Sequence, residues 1–281
     1  TDIFRNLTGN AAKEMSRKLG RRLTGAERAD VMALADYRKM NQVRARVDSI
    51  VKDPETAALL KPWYRQFCKR PCFHDEYLQT YNRPNVHLVD THGKGVERMT
   101  ENAVFANGTE YPLDCLIFAT GFEVGTSYTR RAGYDIIGRG GRTLSEHWCD
   151  GLRTLHGLTT AGFPNCFFLG FTQGAITISV PQALNEQANH VTHIVTQAKA
   201  RGVEAIEPST EAQDAYVKEV RELAKMGLRF YQECTPGYYN SEGASGNRAG
   251  FFSDMYGAGP LRFFEVLQEW RDADMPGMEM R

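Results

Sequence analysis

The chain has 281 residues, enough for one large domain or two modest ones, and its 42% hydrophobic and 24% charged residues are ordinary for a globular protein. Lys plus Arg equals Asp plus Glu, at 34 each, so net charge does not favour a nucleic acid or an anionic membrane as a partner. No apolar run approaches the roughly 20 residues that span a bilayer, and no apolar signal segment follows Thr1, so we expect a cytoplasmic protein without a membrane span. Because an initiator Met is lacking, we expect the chain not to begin at a natural start.

The N-terminal 60 residues are predicted to be helical. Ala, Arg, Lys, Glu, Met and Leu dominate residues 10–50, and all are good helix formers. Thr24 followed by Glu27 fits a capping box, which predicts a helix from about Gly25. Pro54 after Asp53 predicts the start of another helix. None of these residues points to a particular chemistry.

Two adjacent cations, Lys69 and Arg70, precede Pro71. Pro71 favours an extended backbone before it, so the two side chains are expected to point in opposite directions and to meet different partners. A guanidinium suits an oxyanion and an ammonium suits a phosphate, although two surface cations without a role remain the alternative. Cys68, Cys72 and His74 could be read as metal ligands, but no second ligand pair follows at a zinc-site spacing, so we predict no metal.

Short strands are predicted over residues 85–90 and 102–105, with a hairpin turn at Asn107-Gly108. The apolar run 115–118 is bounded by turn signals and predicts a fully buried strand. Ala119, Thr120 and Gly121 follow it, and such small residues let a ligand or another backbone approach closely. An ordinary buried strand ending in a glycine turn is the alternative.

Two motifs of the middle region carry no site. The run 138–141 contains three glycines but lacks the phosphate-loop spacing, so it is predicted to be a turn. Ser145, Glu146 and His147 are adjacent and cannot easily converge on one substrate, and no nucleophile elbow is present, so a hydrolase is not favoured. Residues 155–159 are another possible strand.

A strand, a loop and a helix follow one another over residues 166–201. Residues 166–169 predict a buried strand, residues 172–179 a loop containing Gln173 and Gly174, and residues 181–201 a helix that begins near Pro181. A helix start after such a loop suits an anion or an electron-rich ring edge, with residues 177–181 as the candidates. A crossover without a ligand is the alternative. Further helices are predicted over 210–233 and 261–270.

The combination of these motifs resembles the Baeyer–Villiger monooxygenases. Residues 114–122 resemble the Ala-Thr-Gly strand of flavin monooxygenases with two dinucleotide-binding domains, and residues 68–71, 75–77 and 83–90 resemble a second conserved stretch of that family. The resemblance implies that Arg70 is the catalytic arginine beside the flavin and that Lys69 contacts the 2′-phosphate of NADPH. It also implies cofactor contacts for Ala119, Thr120, Gly121, Gln173, Gly174, Val180, Pro181, Tyr238 and Asn240.

The fold that the resemblance implies is α/β, as a partial two-dinucleotide-binding-domain flavoprotein with three Rossmann-like layers. Residues 1–60 would be a helical part of the NADPH domain, 61–124 its end and the return strand, and 125–281 the C-terminal part of the FAD domain. Neither G-x-G-x-x-G fingerprint occurs in the sequence, so the N-terminal fingerprint regions are missing. We therefore expect a fragment, and little or no FAD bound to it alone.

The function implied for the complete enzyme is an FAD- and NADPH-dependent oxidation in which one oxygen atom from O2 is inserted next to a ketone carbonyl. The partners would be a small ketone, O2 and the missing N-terminal half. An N- or S-oxygenating flavin monooxygenase and a noncatalytic partner-binding fragment are the alternatives. The sequence predicts neither the identity of the ketone nor the oligomeric state.

Overall fold

The computed structural model describes residues 9–122, 126–177, 179–243 and 254–281. The chain divides into two compact units, Thr1–Gly121 and Phe122–Arg281. The predicted domain boundary at 124 falls among residues 123–125, outside the described ranges, and the predicted division into three parts stays a prediction. None of the helices in the described ranges has the length and apolar character needed to cross a bilayer.

Helices form the first part of unit 1, as predicted. They are α1 (Asn10–Leu19), α2 (Gly25–Ile50), α3 (Pro54–Leu60) and α4 (Tyr77–Thr80). The capping box is present, because the Thr24 hydroxyl accepts from the Glu27 amide and the Glu27 carboxylate accepts from the Thr24 amide. The Asp53 carboxylate caps α3 by accepting from the Thr56 amide at 2.8 Å. A small core joins α2, α3 and α4 through Val47, Val51, Ala57, Leu60, Leu78 and Tyr81.

The hairpin predicted around Asn107-Gly108 is also confirmed. An antiparallel sheet contains β1 (Arg98–Met99), β2 (Ala103–Ala106) and β3 (Thr109–Pro112) in that order. Asn107 has φ 53° and Gly108 has φ 72°, and a two-residue turn with two positive φ values matches the right-handed twist of the strands on either side.

The strands predicted over residues 85–90 and 115–118 are wrong for the described chain. Neither segment pairs with another strand, and Ile117 and Phe118 are 83% and 68% exposed instead of buried. A strand forms only against a neighbouring strand, and none in the described ranges pairs with this run. The two described sheets are small and antiparallel, and neither contains residues 115–118.

Three long helices build unit 2. They are α7 (Val180–Ala200), α8 (Thr210–Gln232) and α9 (Pro260–Asp272), and β4 (Ile206–Pro208) pairs antiparallel with β5 (Met278–Met280) beside them. Each helix lies close to its predicted range. The core between them is formed by buried residues of all three helices, among them Ile194, Ala198, Tyr216, Val220, Phe263, Leu267 and Trp270.

A second core of unit 2 surrounds α5 (Tyr128–Ala132) and α6 (Leu144–His147). It contains Leu144, Trp148, Leu152, Phe163 and Phe168. The glycine-rich run forms a short 3-10 turn, Arg139–Gly141, as predicted. The predicted strand 166–169 is wrong: the segment belongs to no sheet, Leu169 is 58% exposed, and the predicted strand 155–159 is reduced to one bridge between Leu155 and Thr159.

The Ser-Glu-His sequence on α6 has a structural role. The Glu146 carboxylate completes a capping box with Thr143. The buried His147 ring lies 3.0 Å from the Thr160 hydroxyl, whereas Ser145 is exposed. These contacts give Glu146 and His147 structural roles in the fold.

Two histidines are buried among aromatic rings in the main core of unit 2. The His190 ring lies 4.9 Å from Trp270 and 5.5 Å from His156. Burial lowers the pKa of His156 to about 3, and burial together with the neighbouring His156 and Arg271 lowers the pKa of His190 to about 2. Both rings are therefore neutral in the folded unit.

We expect the free energy of unfolding of unit 2 to decrease as the pH is lowered below about 6.5. In the unfolded chain both histidines take up a proton below about pH 6.5, whereas the folded unit keeps them neutral down to about pH 3, so protons favour unfolding in this window. Each proton that binds only to the unfolded chain lowers the free energy of unfolding by about 1.4 kcal/mol per pH unit. Urea unfolding followed by circular dichroism at pH 7 and pH 4 measures the slope.

The variant His190→Phe keeps an aromatic ring against Trp270 and removes one titrating group. It should reduce the pH slope by about one proton. The exposed His87→Phe is the matched control and should leave the slope unchanged. An unchanged slope in His190→Phe would contradict the assignment of the pH dependence to this ring.

Candidate functional site

The predicted cations lie at the end of a segment of irregular backbone, residues 61–70, in unit 1. Arg70 is exposed and Lys69 is partly buried, with its ammonium 5.8 Å from the centre of the Tyr64 ring. The residues from Arg70 to His74 have no turn or helix, whereas Lys69 lies in a bend, and the extended backbone expected before Pro71 stays a prediction. The Lys69 charge is therefore held near an aromatic ring.

Helix α2 anchors this segment at its first residues. The Lys61 ammonium pairs with Asp48 at 2.6 Å. The Arg44 guanidinium donates to the Pro62 carbonyl at 2.8 Å and lies 4.7 Å from the centre of the Trp63 ring. These contacts involve one face of α2, so the helix fixes where the segment begins.

Asp36, also on α2, holds the segment closer to the cations. Its buried carboxylate accepts from the Gln66 amide at 2.9 Å and lies 3.5 Å from Nε of Arg65. Burial raises the pKa of Asp36, and the Gln66 and Arg65 contacts oppose that rise. The sequence analysis assigned no role to Asp36, because in sequence it is one of many charged residues in a helix.

Replacing Asp36 by Ala should loosen the segment that carries Lys69 and Arg70. The Gln66 amide would lose its acceptor in a buried place, which costs about 1–3 kcal/mol. We expect faster hydrogen exchange in peptides covering residues 61–70, measured by mass spectrometry, and a lower free energy of unfolding.

The exposed Asp30→Ala on the same helix is the control for that experiment. It should change neither quantity. Equal exchange over residues 61–70 in the two variants would show that Asp36 does not hold the segment.

The small residues after the apolar run are open to solvent. Ala119, Thr120 and Gly121 are all exposed, and a Cβ added to Gly121 would meet nothing within 4 Å. Gly121 has φ 87°, which favours glycine at this position. A ligand or another backbone therefore has space to approach Gly121 closely. Which group does so stays a prediction.

In unit 2 the segment before α7 is held by hydrogen bonds to Gln187, a side chain of α7 itself. Gln187 accepts from the Gly170 amide at 2.9 Å and donates to the Gly170 carbonyl at 2.5 Å. Both backbone groups of Gly170 are thus satisfied by one buried amide. These two contacts give Gln187 a structural role.

Gln173 lies inside the loop and is completely buried. Its side-chain oxygen accepts from the Thr154 hydroxyl at 2.6 Å, and its side-chain nitrogen donates to the Leu152 carbonyl at 3.0 Å. Its backbone carbonyl accepts from the Tyr216 hydroxyl at 2.7 Å. These hydrogen bonds fix the loop to the residues around Gln173. A direct contact between Gln173 and a cofactor is not favoured by its burial, and the predicted contact is untested.

The loop leads to an accessible start of α7. Gly174 is buried, and its carbonyl accepts from the Tyr256 amide at 3.0 Å. Val180 is partly buried and Pro181 is exposed, and Ser179 makes no side-chain cap. Residue 178, within the candidate range 177–181, lies outside the described residues. An uncapped helix start beside a braced loop fits an electron-rich ring edge or an anion.

Replacing Gln187 by Ala should free the loop. The Gly170 amide and carbonyl would both lose their partner, so we expect a loss of about 1–3 kcal/mol in the free energy of unfolding. Hydrogen exchange in peptides covering residues 167–175 should become faster.

Gln182→Ala, which changes an exposed glutamine of the same helix, is the matched control. It should leave both the exchange of residues 167–175 and the stability near the wild-type values. If Gln187→Ala behaved like this control, the loop would be held by other contacts.

The C-terminal candidates lie on the 3-10 helix Tyr238–Gly243 of unit 2. The Asn240 side-chain oxygen accepts from the amides of Gly237 and Gly243, and its nitrogen donates to the carbonyls of Cys234 and Thr235. The Tyr238 and Tyr239 rings lie 4.3 Å apart. Asn240 therefore shapes this turn, and the predicted approach of Tyr238 and Asn240 to a nicotinamide is untested.

The candidate residues thus fall into two groups. Lys69, Arg70 and residues 119–121 belong to unit 1, and the loop, the start of α7 and the 3-10 helix belong to unit 2. Their convergence on one flavin stays a prediction. Among the described residues, no group of three or more His, Cys, Asp or Glu side chains could hold a metal ion.

Known proteins similar to this chain include the pentalenolactone D synthase of Streptomyces arenae, which is 52% identical over 258 residues, 91% of this chain and 44% of that protein. A Baeyer–Villiger monooxygenase of Streptomyces coelicolor is 48% identical over 86% of this chain and 40% of its own length. Over most of its length the chain is similar to one part of Baeyer–Villiger-type flavin monooxygenases. No protein-family model matches it.

Solved structures of this class agree with the partial α/β fold predicted from the sequence. The polycyclic ketone monooxygenase of Thermothelomyces thermophila superposes with a TM-score of 0.81 at 38% identity, over 92% of this chain and 42% of that one. A steroid monooxygenase bound to NADP superposes with a TM-score of 0.74 at 28% identity, over 88% and 45%. The chain therefore spans less than half the length of the Baeyer–Villiger relatives that it matches.

Proposed function

We propose that the chain is the C-terminal part of an FAD- and NADPH-dependent Baeyer–Villiger monooxygenase, which inserts one oxygen atom from O2 beside a ketone carbonyl. The observation that carries the proposal is the 52% identity to a pentalenolactone D synthase over 91% of the chain, together with the ketone monooxygenase fold. Because less than half of those proteins is spanned, the activity belongs to the chain together with the missing N-terminal half. A cytoplasmic location, expected from the sequence, is part of the same proposal.

Arg70 is proposed as the catalytic residue. Its guanidinium stays protonated at any working pH and can donate to an oxygen that gains negative charge during the reaction. Its exposed position in unit 1 leaves it accessible to a group that enters from outside this unit. When bound, FAD reduced by NADPH supplies the activation of O2.

Lys69 is proposed to bind a phosphate of NADPH. An ammonium is a compact charge with three donors, which suits a phosphate oxygen. The neighbouring Tyr64 ring limits the freedom of this side chain, and Asp36 fixes the segment that carries both cations. A steroid monooxygenase with a related fold has been solved with NADP bound.

The start of α7 is proposed to face the electron-rich edge of the flavin. Ser179 makes no side-chain cap at the start of α7, and the loop before it is held by Gln187 and Gln173, so the first backbone amides of the helix are available to an acceptor there. Residues 119–121, small and exposed, would leave room for the cofactor at the end of the apolar run.

The test uses a single polypeptide in which the N-terminal part of the S. arenae relative is fused to this chain. We expect the fusion to bind FAD and to convert cyclic ketones to esters at the expense of NADPH. Arg70→Ala should lower ester formation at least about a hundred-fold, because a donor to the developing charge is lost. NADPH oxidation should continue without product, measured by absorbance beside gas chromatography of the ester.

Arg46→Ala, at an exposed arginine of α2, is the control and should keep ester formation at the wild-type rate. Unchanged ester formation in Arg70→Ala would refute the role of Arg70. Oxygenation of amines or sulfides with no ester would favour an N- or S-oxygenating relative. A folded fusion that binds no FAD would favour a noncatalytic fragment.

A further inference from the structure

Two turns of unit 2 adopt an unfavourable backbone conformation close to the start of α7. His156 has φ 56° and Gln173 has φ 46°, so both lie in the left-handed region although neither is glycine. Such a conformation persists in a residue with a side chain only where the surrounding contacts hold it. The contacts around these two residues therefore determine the shape of the loop that leads to α7.

The two turns are joined directly through Gly157 and Thr154. A Cβ added to Gly157 would lie 2.0 Å from the Thr172 carbonyl oxygen, so only glycine permits this approach. The fully buried Thr154 hydroxyl accepts from the Gly157 amide at 3.1 Å and donates to the Gln173 side-chain oxygen at 2.6 Å. One hydroxyl group thus connects the turn at His156 to the loop.

Helix α8 holds both left-handed residues through Tyr216. The Tyr216 hydroxyl donates to the Gln173 backbone carbonyl at 2.7 Å. Its ring lies 5.1 Å from the His156 ring at an interplanar angle of 87°, which is an edge-to-face contact. A single side chain of a long helix therefore connects the turn at His156 with the backbone of the loop.

The other two long helices complete the surroundings of His156. Its ring lies 5.5 Å from the ring of His190 on α7 and 5.1 Å from the ring of Trp270 on α9. The shape of the loop thus depends on buried side chains of α7, α8 and α9. A loop fixed in this way is preorganised, because no ligand has to order it on binding.

We propose that Tyr216 is a positioning residue for the cofactor of the complete enzyme. Through the Gln173 carbonyl it fixes the loop that ends at the start of α7, where the flavin edge is proposed to lie. Tyr216 is only 4% exposed, so it acts through the loop and does not touch the ligand. The inference rests on the proposed function for the identity of the ligand, and it goes beyond that function by assigning a role in cofactor affinity to a residue of α8.

The first test is hydrogen exchange of this chain alone, measured by mass spectrometry on peptides covering residues 170–176. Tyr216→Phe keeps the ring against His156 and removes the hydroxyl, so the buried Gln173 carbonyl loses its donor. Exchange should become at least about five-fold faster. Val220→Ala is the matched control, because it removes buried apolar volume one turn further along α8. It should lower the urea midpoint and leave this exchange near the wild-type rate.

A second variant reaches the same loop from the other turn. Thr154→Val removes the hydroxyl between Gly157 and Gln173, so it should also accelerate exchange of residues 170–176. Both variants release Gln173, so the double variant should accelerate exchange by less than the product of the two single effects. Single effects that simply multiply would overturn the connection, as would a wild-type exchange rate in Tyr216→Phe.

The second test measures FAD affinity in the covalent fusion with the N-terminal part of the S. arenae relative. Tyr216→Phe should raise the FAD dissociation constant at least about five-fold, measured by titration of flavin fluorescence, because part of the binding energy would then order the loop. Val220→Ala should leave the constant unchanged. Faster exchange in Tyr216→Phe with an unchanged FAD dissociation constant would overturn the positioning role.

The same fusion separates this inference from the proposed function. Ester formation by a fusion in which Tyr216→Phe binds FAD as tightly as the wild type would uphold the function and overturn the role of Tyr216. A folded wild-type fusion that binds no FAD would instead overturn the function, and with it the ligand assigned to the loop.

Discussion

A strand that is apolar on both faces is stable only between other strands, and this constraint explains the most unusual feature of unit 1. Burial of each large apolar side chain contributes about 1.5–3 kcal/mol, so the exposed Ile117 and Phe118 represent stabilisation that the described chain does not obtain. Selection for solubility would be expected to remove such residues from a permanent surface.

Buried polar side chains perform the opposite task inside each unit, because they fix backbone segments that no sheet holds. Asp36 accepts from the backbone of the segment leading to Lys69 and Arg70, and Gln187 satisfies both backbone groups of Gly170. Each lies on the buried face of a long helix, where an apolar residue would be the ordinary choice. The helices therefore serve as rigid supports from which single side chains position the irregular segments of the candidate site.

Local signals predicted the elements that depend on local contacts. Thr24 and Glu27 predicted the start of α2, Pro181 predicted the start of α7 to within one residue, and Asn107-Gly108 predicted the hairpin. The strands at 115–118 and 166–169 were predicted from apolar runs, but strand formation depends on residues distant in sequence. The roles of Asp36 and Gln173 were not predictable for a related reason, since sequence alone does not reveal which polar residue a fold will bury.

The charge stabilisation proposed for Arg70 depends on the exclusion of water around its guanidinium. Two unit charges 4 Å apart interact by about 1 kcal/mol in bulk water and by about 4 kcal/mol at the dielectric constant of about 20 that is typical near a protein surface. An exposed guanidinium beside a developing negative charge therefore does little until water is excluded. Since Arg70 is exposed in unit 1, the catalytic role proposed for it requires that water be excluded from its surroundings.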